Sequence, residues 1–350
     1  MNAQRTISRR RAISFTGMTA LGLSIGHLAV AGSTAAQDAT PAPAGLGPVP
    51  TGGPDAAGGW SFTDDRGVVV QLDAAPSTVV AYIGIAAALH DFGYDVAGFF
   101  SGESRESVDP ATVAPNLPFD TIENLGFGDA IDVEKLVAMG VDLFAGANYD
   151  LAGAQIVWPV PDDIMAQIGA FAGVVAIAYA DGTDVDRLIQ TNANLAAALG
   201  ADLTATATQS AKQTYDADLA ALGTAIAGKP GLKALFMTGA ADGFYVGQGL
   251  ADLNLYARQG LEIVSVDSWD LQSWESFAKL DADVIFVDDR ASGWLQPDQL
   301  AEQVSTWPVH PAVAAGQVFP WRVEYVPSYQ GFAPILEEVA SEIGGASVIA

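Results

Sequence analysis

Cysteine is absent from all 350 residues, which excludes disulfides, thiolate zinc sites, iron–sulfur clusters, a cysteine nucleophile and a lipid-modified cysteine anchor. Basic residues are scarce: 15 Lys and Arg stand against 41 Asp and Glu, a formal charge of −26. A surface of that sign repels nucleic acid and anionic lipid, so no nucleic-acid partner is expected. Histidine is scarcer still, with three in the chain, of which His27 lies in the amino-terminal apolar stretch. His90 and His310 alone cannot build a His-rich bare-metal site, and each reads as a structural or surface residue. Beyond the amino-terminal apolar stretch no Gly-x-Ser-x-Gly elbow occurs, which weakens a hydrolase reading, and 37 Gly with 18 Pro are too few for a disordered or fibrous chain.

What the chain does have begins at its amino terminus. Arg5, Arg9, Arg10 and Arg11 precede the apolar, Gly- and Ala-rich run Ala12 to Ala31, followed by small-residue sites at Ala29–Ala31 and Thr34–Ala36. This is the layout of an export signal, expected over residues 1–36. Ser8 to Ile13 is similar to the twin-arginine signal, with Ala12 where that pattern prefers a large apolar residue. Three fates stay open on these residues alone: twin-arginine export, ordinary secretion, and an uncleaved anchor. Residues 37–59, rich in Ala, Pro and Gly, read as a disordered tether.

Beyond it, strand and helix patterns alternate. Trp60 to Thr63 and Val68 to Leu72 form a hairpin around Asp64-Asp65-Arg66-Gly67. Apolar runs at Thr78–Ile83, Val96–Phe100, Leu143–Ala145 and Val174–Ala178 predict strands, separated by helical patterns at Ile85–Phe92, Val133–Met139 and Pro161–Ile168. Strand signals vanish from Asp184 to Ile226, then resume at Ala234–Thr238, Ile263–Val266, Val284–Val287 and Val318–Phe319, closing with a helix over Tyr329–Glu342. The fold class expected is α/β: two Rossmann-like lobes with largely parallel sheets, 60–180 and 229–350, joined by a long helical connector at 181–228. An internal echo suggests duplication. Glu134 and Glu275 each open a short helix and are followed eight positions later by Asp142 and Asp283, leading into a buried strand.

Two glycine patterns lead elsewhere. Gly223 to Lys229 fits the first seven positions of a phosphate loop, but Pro230 stands where Ser or Thr is required, so a helix end is expected. Gly126-Phe127-Gly128 lacks the third glycine of a dinucleotide fingerprint and reads as a loop.

The runs Phe62–Leu72, Ala75–Ala81 and Ala86–Gly93 resemble the opening of ABC-transporter substrate-binding proteins of the iron-siderophore type. Leu125-Gly126, then Asp132-Val133-Glu134, then Val141-Asp142-Leu143 match further family segments in order, with Val141 replacing a proline. Trp307 to Phe319 is similar to the family's closing strand. The resemblance runs from about Phe62 to Glu342. It implies a protein outside the cytoplasm, in a periplasm or on the outer face of the membrane, without a catalytic step and without a cofactor. It further implies that a metal chelate, a ferric siderophore above all, is held between the lobes and delivered to a membrane permease by a monomer. The family's docking carboxylates fall on Glu134 and Glu275, while helix N-termini alone would also account for both. A secreted enzyme and a cell-surface adhesion module are the alternative readings.

The cleft is expected beyond the carboxyl ends of the strands, where loops and helix N-termini of an open α/β sheet converge. The residues delivered there are Tyr82, Ser101 to Arg105, Asn148, Tyr149, Phe244, Tyr245, Arg290, Trp294, Trp321, Arg322 and Tyr325. Eight of them are expected to bind ligand: Tyr82, Arg105, Tyr149, Tyr245, Arg290, Trp294, Arg322 and Tyr325. The three arginines would balance the charge of an anionic chelate, and the rings would cover its flat faces.

Overall fold

The computed structural model describes residues 46–102, 110–151, 155–179, 182–290 and 294–349. The export-signal reading and Arg105 lie outside these residues. The described chain opens with an antiparallel sheet of β1 (Thr51–Pro54), β2 (Trp60–Thr63) and β3 (Val69–Leu72). The hairpin expected at Asp64–Gly67 is present, but a strand precedes it. β1 falls within the stretch read as a disordered tether, and the carbonyls of Gly47, Pro48 and Pro50 accept bonds from Arg187 and Asn194. Composition misled there because the anchoring groups lie far along the chain.

The first lobe follows as β4 (Val79–Tyr82), α1 (Ile83–Asp91), β5 (Gly98–Ser101), α2 (Pro110–Val113), β6 (Glu123–Phe127), α3 (Val133–Met139), β7 (Leu143–Asn148), α4 (Asp162–Ile168) and β8 (Gly173–Ala178). Its five strands are all parallel in the order β6-β5-β4-β7-β8. β4 and β7 are buried along their whole length, as expected of strands covered on both faces. β6 includes Gly126 and Phe127, so that segment enters the sheet instead of forming only a loop. The free edge of β8 is closed by the hairpin turn: Asp64 and Asp65 accept from the backbone N–H of Ala176 and Ala178 at 3.1 and 2.9 Å. An unpaired edge invites foreign strands, and here two carboxylates occupy its donors.

Two helices, α5 (Val185–Ala198) and α6 (Thr206–Ala227), lead to the second lobe. This lobe comprises β9 (Lys233–Ala240), β10 (Gly243–Val246), α7 (Ala251–Arg258), β11 (Glu262–Ile263), α8 (Trp274–Phe277), β12 (Val284–Asp288), α9 (Pro297–Gln303), α10 (Pro311–Ala314), β13 (Val318–Trp321) and α11 (Tyr329–Gly345). Strands β9, β12 and β13 are parallel neighbours, β10 is antiparallel to β9, and β11 also pairs with β9. α6 packs along α11. Thr208, Tyr215 and Leu222 recur every seven residues on α6 and face a stripe of Phe332, Leu336, Val339 and Ile343, the spacing of a coiled-coil seam. The phosphate-loop pattern ends α6, and Lys229 Nζ donates to the carbonyl of Ala346 at 2.5 Å.

The lobes repeat one device. Asp142 precedes β7 and accepts from the backbone N–H of Thr78 at 3.0 Å, at the start of neighbouring β4. Asp283 precedes β12 and accepts from the backbone N–H of Lys233 at 2.7 Å, at the start of neighbouring β9. The ladders match, with Val79 opposite Leu143 and Ala234 opposite Val284. The echo in the sequence thus corresponds to one carboxylate pinning one register in each lobe.

Candidate ligand cleft

In the first sheet the strand order turns back at β4 and β7, so the crevice of this doubly wound sheet opens where those two strands end. Tyr82 closes β4, Tyr149 follows β7 and Tyr179 follows β8. Asn148 fixes the outgoing loop, donating from Nδ2 to the carbonyls of Gln155 and Ile156 and accepting the N–H of Asp150. The loop returns at Trp158, whose N–H donates to Ala147 at 2.7 Å. Four rings then close a cycle: Tyr82 to Trp158 at 6.2 Å, Trp158 to Tyr149 at 5.4 Å, Tyr149 to Tyr179 at 5.6 Å and Tyr179 to Tyr82 at 6.1 Å. Three of the contacts are edge-to-face and one is tilted, within the preferred range for aromatic pairs. A Cβ at Gly102 would lie 2.2 Å from the Trp158 ring, so only glycine admits the indole there. Tyr82 and Tyr179 are 5% and 9% exposed while Tyr149 keeps 38% of its surface open, so the first two form a floor and the third a rim.

The second sheet sends Arg290 out beyond β12 and Arg322, Glu324 and Tyr325 beyond β13. Arg290 is held by fully buried Asp288, with Nη2 to Oδ2 at 2.6 Å, and reaches Glu324 at 3.4 Å. Asp288 also accepts from Thr238 Oγ1 at 2.9 Å. Arg322 donates to Asp289 at 2.7 Å and to both carboxylate oxygens of Glu338 on α11, at 3.0 and 3.1 Å. Trp321 is buried, its Nε1 donating to Asp252 Oδ2 at 2.7 Å. Tyr245 meets Trp294 edge-on at 6.0 Å, and Phe244 is core, packed on Trp274 and Phe277.

Electrostatics join the two edges. Burial pushes the Tyr149 hydroxyl well up, Glu324 adds to the rise, and Arg290 opposes it. Tyr179 is raised by burial, then by Tyr149 and Glu324; Tyr325 is raised by burial, then by Asp252, Tyr149 and Tyr179. Tyr149 and Tyr179 of the first sheet are thus influenced by Glu324 of the second, and Tyr325 of the second by Tyr149 and Tyr179. Of the expected ligand residues, Tyr82, Tyr149, Arg290 and Tyr325 are brought together here. Tyr245 and Trp294 form a separate pair on the flank of the second sheet, and Arg322 is turned to α11. Trp158 and Tyr179 pack with the rings of the first sheet, and Glu324 and Asp252 act on the titration of the tyrosines.

The histidines are structural. His310 is buried, its Nδ1 accepting the N–H of Ala312 to cap α10 and its Nε2–H donating to Leu280 at 3.0 Å, and burial lowers its pKa. His90 pairs with Asp95 at 2.6 Å. Among the described residues no three His, Asp or Glu side chains are grouped to hold a metal ion.

Comparison with solved structures decides the family. The chain is similar to DesE, a ferric-siderophore receptor protein from Streptomyces coelicolor, at 34% identity and a TM-score of 0.74, covering 83% of this chain and 100% of that one. This chain belongs to the ABC-transporter substrate-binding proteins of the iron-siderophore type. The members are binding proteins, not enzymes. The fold is shared more widely within the binding-protein class. A siderophore periplasmic binding protein from the fuscachelin gene cluster of Thermobifida fusca matches at 20% identity and a TM-score of 0.56, covering 78% of this chain and 98% of that one. SirA of Staphylococcus aureus, complexed with staphyloferrin B, matches at 17% and 0.57, covering 83% and 99%. No family model and no curated protein matches this binding protein.

Proposed function

We propose that this binding protein captures a ferric siderophore between the carboxyl edges of its two sheets and hands it to an ABC permease. The observation that carries this reading is the four-ring cycle of Tyr82, Trp158, Tyr149 and Tyr179 at the carboxyl edge of the first sheet. Flat π faces next to a few fixed polar groups suit a bulky chelate whose outer surface is largely organic. Capture needs only limited closure, because α5 and α6 resist bending more than extended strands would. Ties between the lobes support this. Asp91 at the end of α1 accepts from Ser328 at the start of α11, Asn254 Nδ2 donates to Thr183 at 2.8 Å, and Arg258 on α7 binds Asp184 and Asp186 on α5.

Tryptophan fluorescence titrated with a panel of ferric chelates, haem and cobalamin tests the reading. Saturable one-to-one quenching by a siderophore is expected, weakened at least tenfold by Trp158→Ala; a chain indifferent to every ferric chelate would refute it.

For docking, Glu134 and Glu275 are exposed in the first turns of α3 and α8, and neither carboxylate has a partner among the described residues. Both would meet permease arginines. Changing both to Gln should spare chelate affinity and abolish uptake in reconstituted permease, and undiminished uptake would reduce them to helix-favouring charges. For export, Arg9, Arg10 and Arg11 would direct a folded chain through the twin-arginine route, and Lys at all three should block it. Among the described residues no helix is long and apolar enough to cross a membrane.

A further inference from the structure

Resting on the reading of this cleft as a chelate site, we propose that Asp91 is a positioning residue for capture: through its bond to Ser328 it sets the spacing between the second sheet's carboxyl edge and the tyrosine floor of the first. The other ties between the halves end on the connector or just ahead of it, at Thr183, Asp184 and Asp186. The bond from Ser328 to Asp91 runs from the second lobe directly to the first.

On the first-lobe side this bond meets a rigid base. α1 is buried from Ile83 to Leu89, so it moves with its sheet. Asn116 Nδ2 donates to Asp91 Oδ1 at 2.7 Å and to the carbonyl of Ala87 at 3.0 Å, which fixes the carboxylate against the last turn of α1 and leaves Oδ2 to Ser328. Gly84 lies seven residues earlier, on the same face of the helix. A Cβ there would stand 3.3 Å from Tyr179 Oη, 3.6 Å from Tyr82 Cε1 and 3.8 Å from Pro327 Cδ, so the two floor tyrosines and the residue before Ser328 converge on one glycine.

On the second-lobe side the bond meets the short link from β13 to α11. Ser328 is fully buried, and its Oγ also accepts the N–H of Gly331 at 2.9 Å as the cap of α11. Only glycine fits at 331, where a Cβ would lie 2.6 Å from both the Cβ and the carbonyl oxygen of Val326. Tyr325 packs edge-on against Phe332 of α11 at 4.9 Å, and Tyr329 meets Phe92, the residue after Asp91, at 5.7 Å. Tyr325 is thus fixed to α11, and α11 to α1. Hydrogen bonds to a carboxylate are among the stronger ones, so this single bond carries weight in the register of the two edges. Without it the edges sample spacings that do not fit one ligand, and affinity falls in proportion to the population of the fitting one.

The test uses the full chain, in which the absence of cysteine lets Val137→Cys on α3 and Val309→Cys in the second lobe, both at exposed sites, carry a specific pair of spin labels. Pulsed electron paramagnetic resonance reads the distribution of distances between the lobes. Tryptophan quenching of the unlabelled protein reads dissociation constants for a ferric trihydroxamate, a ferric tris-catecholate and ferric citrate. Asp91→Ala should roughly double the width of the distance distribution and weaken the chelate that the parent binds by about fivefold or more. Asp91→Asn, whose amide oxygen can still accept from Ser328, should stay within about twofold of the parent in both readouts. A parent that binds none of the three chelates overturns the chelate reading and this inference with it. Binding by the parent, with Asp91→Ala equal to it in either width or affinity, overturns the positioning role alone, and so does Asp91→Asn if it is as impaired as Asp91→Ala. If Asp91→Ala fails to fold, Ser328→Ala, which leaves Asp91 its bond to Asn116, decides on the same two readouts.

Discussion

Asp252 offers a direct measure of how the second lobe handles buried charge. It lies in the first turn of α7, is 3% exposed, and accepts from Trp321 Nε1. Burial lifts its pKa from the ordinary 3.8 to about 6, against the opposing effect of the Trp321 bond and of the backbone N–H groups of Leu253 and Asp252. A carboxyl whose folded pKa exceeds its unfolded value holds its proton more tightly in the native state. Its contribution is therefore most favourable below pH 4 and is lost as the pH rises towards 6 and beyond. A shift of that size corresponds to about 3 kcal/mol lost between pH 4 and pH 7. Asp252→Asn keeps an oxygen to accept from Trp321 but cannot ionise. The variant should be more stable than the parent by about 2–3 kcal/mol at pH 7 and equal to it near pH 4. Urea unfolding at several pH values, followed by tryptophan fluorescence, reads both quantities. A variant equal to or weaker than the parent at pH 7 would show that the ionised carboxylate is held more favourably than its surroundings imply.

Glu342 on α11 carries the same sign: burial and neighbouring Glu338 push it up to about 8, with Arg322 opposing, so Glu342→Gln should stabilise the protein more at pH 9 than at pH 5 in the same unfolding assay. The register pins should differ in weight. Asp283, 5% exposed, accepts from the N–H of both Lys233 and Ile349, so Asp283→Ala should cost about 3 kcal/mol or more in urea unfolding, while Asp142→Ala, at a half-buried site, should cost less. Equal losses would show that burial does not set the strength of this device.

The parallel sheets were legible because their strands are apolar runs of the right length, and a strand buried on both faces leaves that trace whatever surrounds it. β6 and β10 left little trace. Glu123–Phe127 has a single fully buried residue, Leu125, and Gly243–Val246 is short and follows a turn at Asp242. The rule of looking just beyond strand ends named Tyr82, Tyr149, Arg290 and Tyr325, which do lie at strand ends, and applied to Val174–Ala178 it would also have named Tyr179. Trp158 could not be found that way, since it reaches the site through a loop pinned by Asn148. Weighing only rings and cations hid Glu324 and Asp252. The pairing of Arg290 with Asp288, two residues back, was present in the sequence, but whether that carboxylate was buried beneath it depended on the packing of β12 against its neighbours.

The seam between α6 and α11 bears on the order in which the chain is made. Tyr215, Leu222 and Ile226 leave the ribosome about 100 residues ahead of the helix that covers them. At roughly 5–20 residues per second, that apolar stripe stays bare for on the order of 5–20 s of synthesis. The first lobe can complete its own sheet in that interval, whereas the connector cannot become stiff until the final helix arrives. A nascent chain halted before Tyr329 would thus display two loosely tethered halves and a sticky helix, a form suited to capture by a chaperone or a protease. Docking of the seventeen-residue α11 is therefore the event that covers the stripe on α6 and lets the connector stiffen.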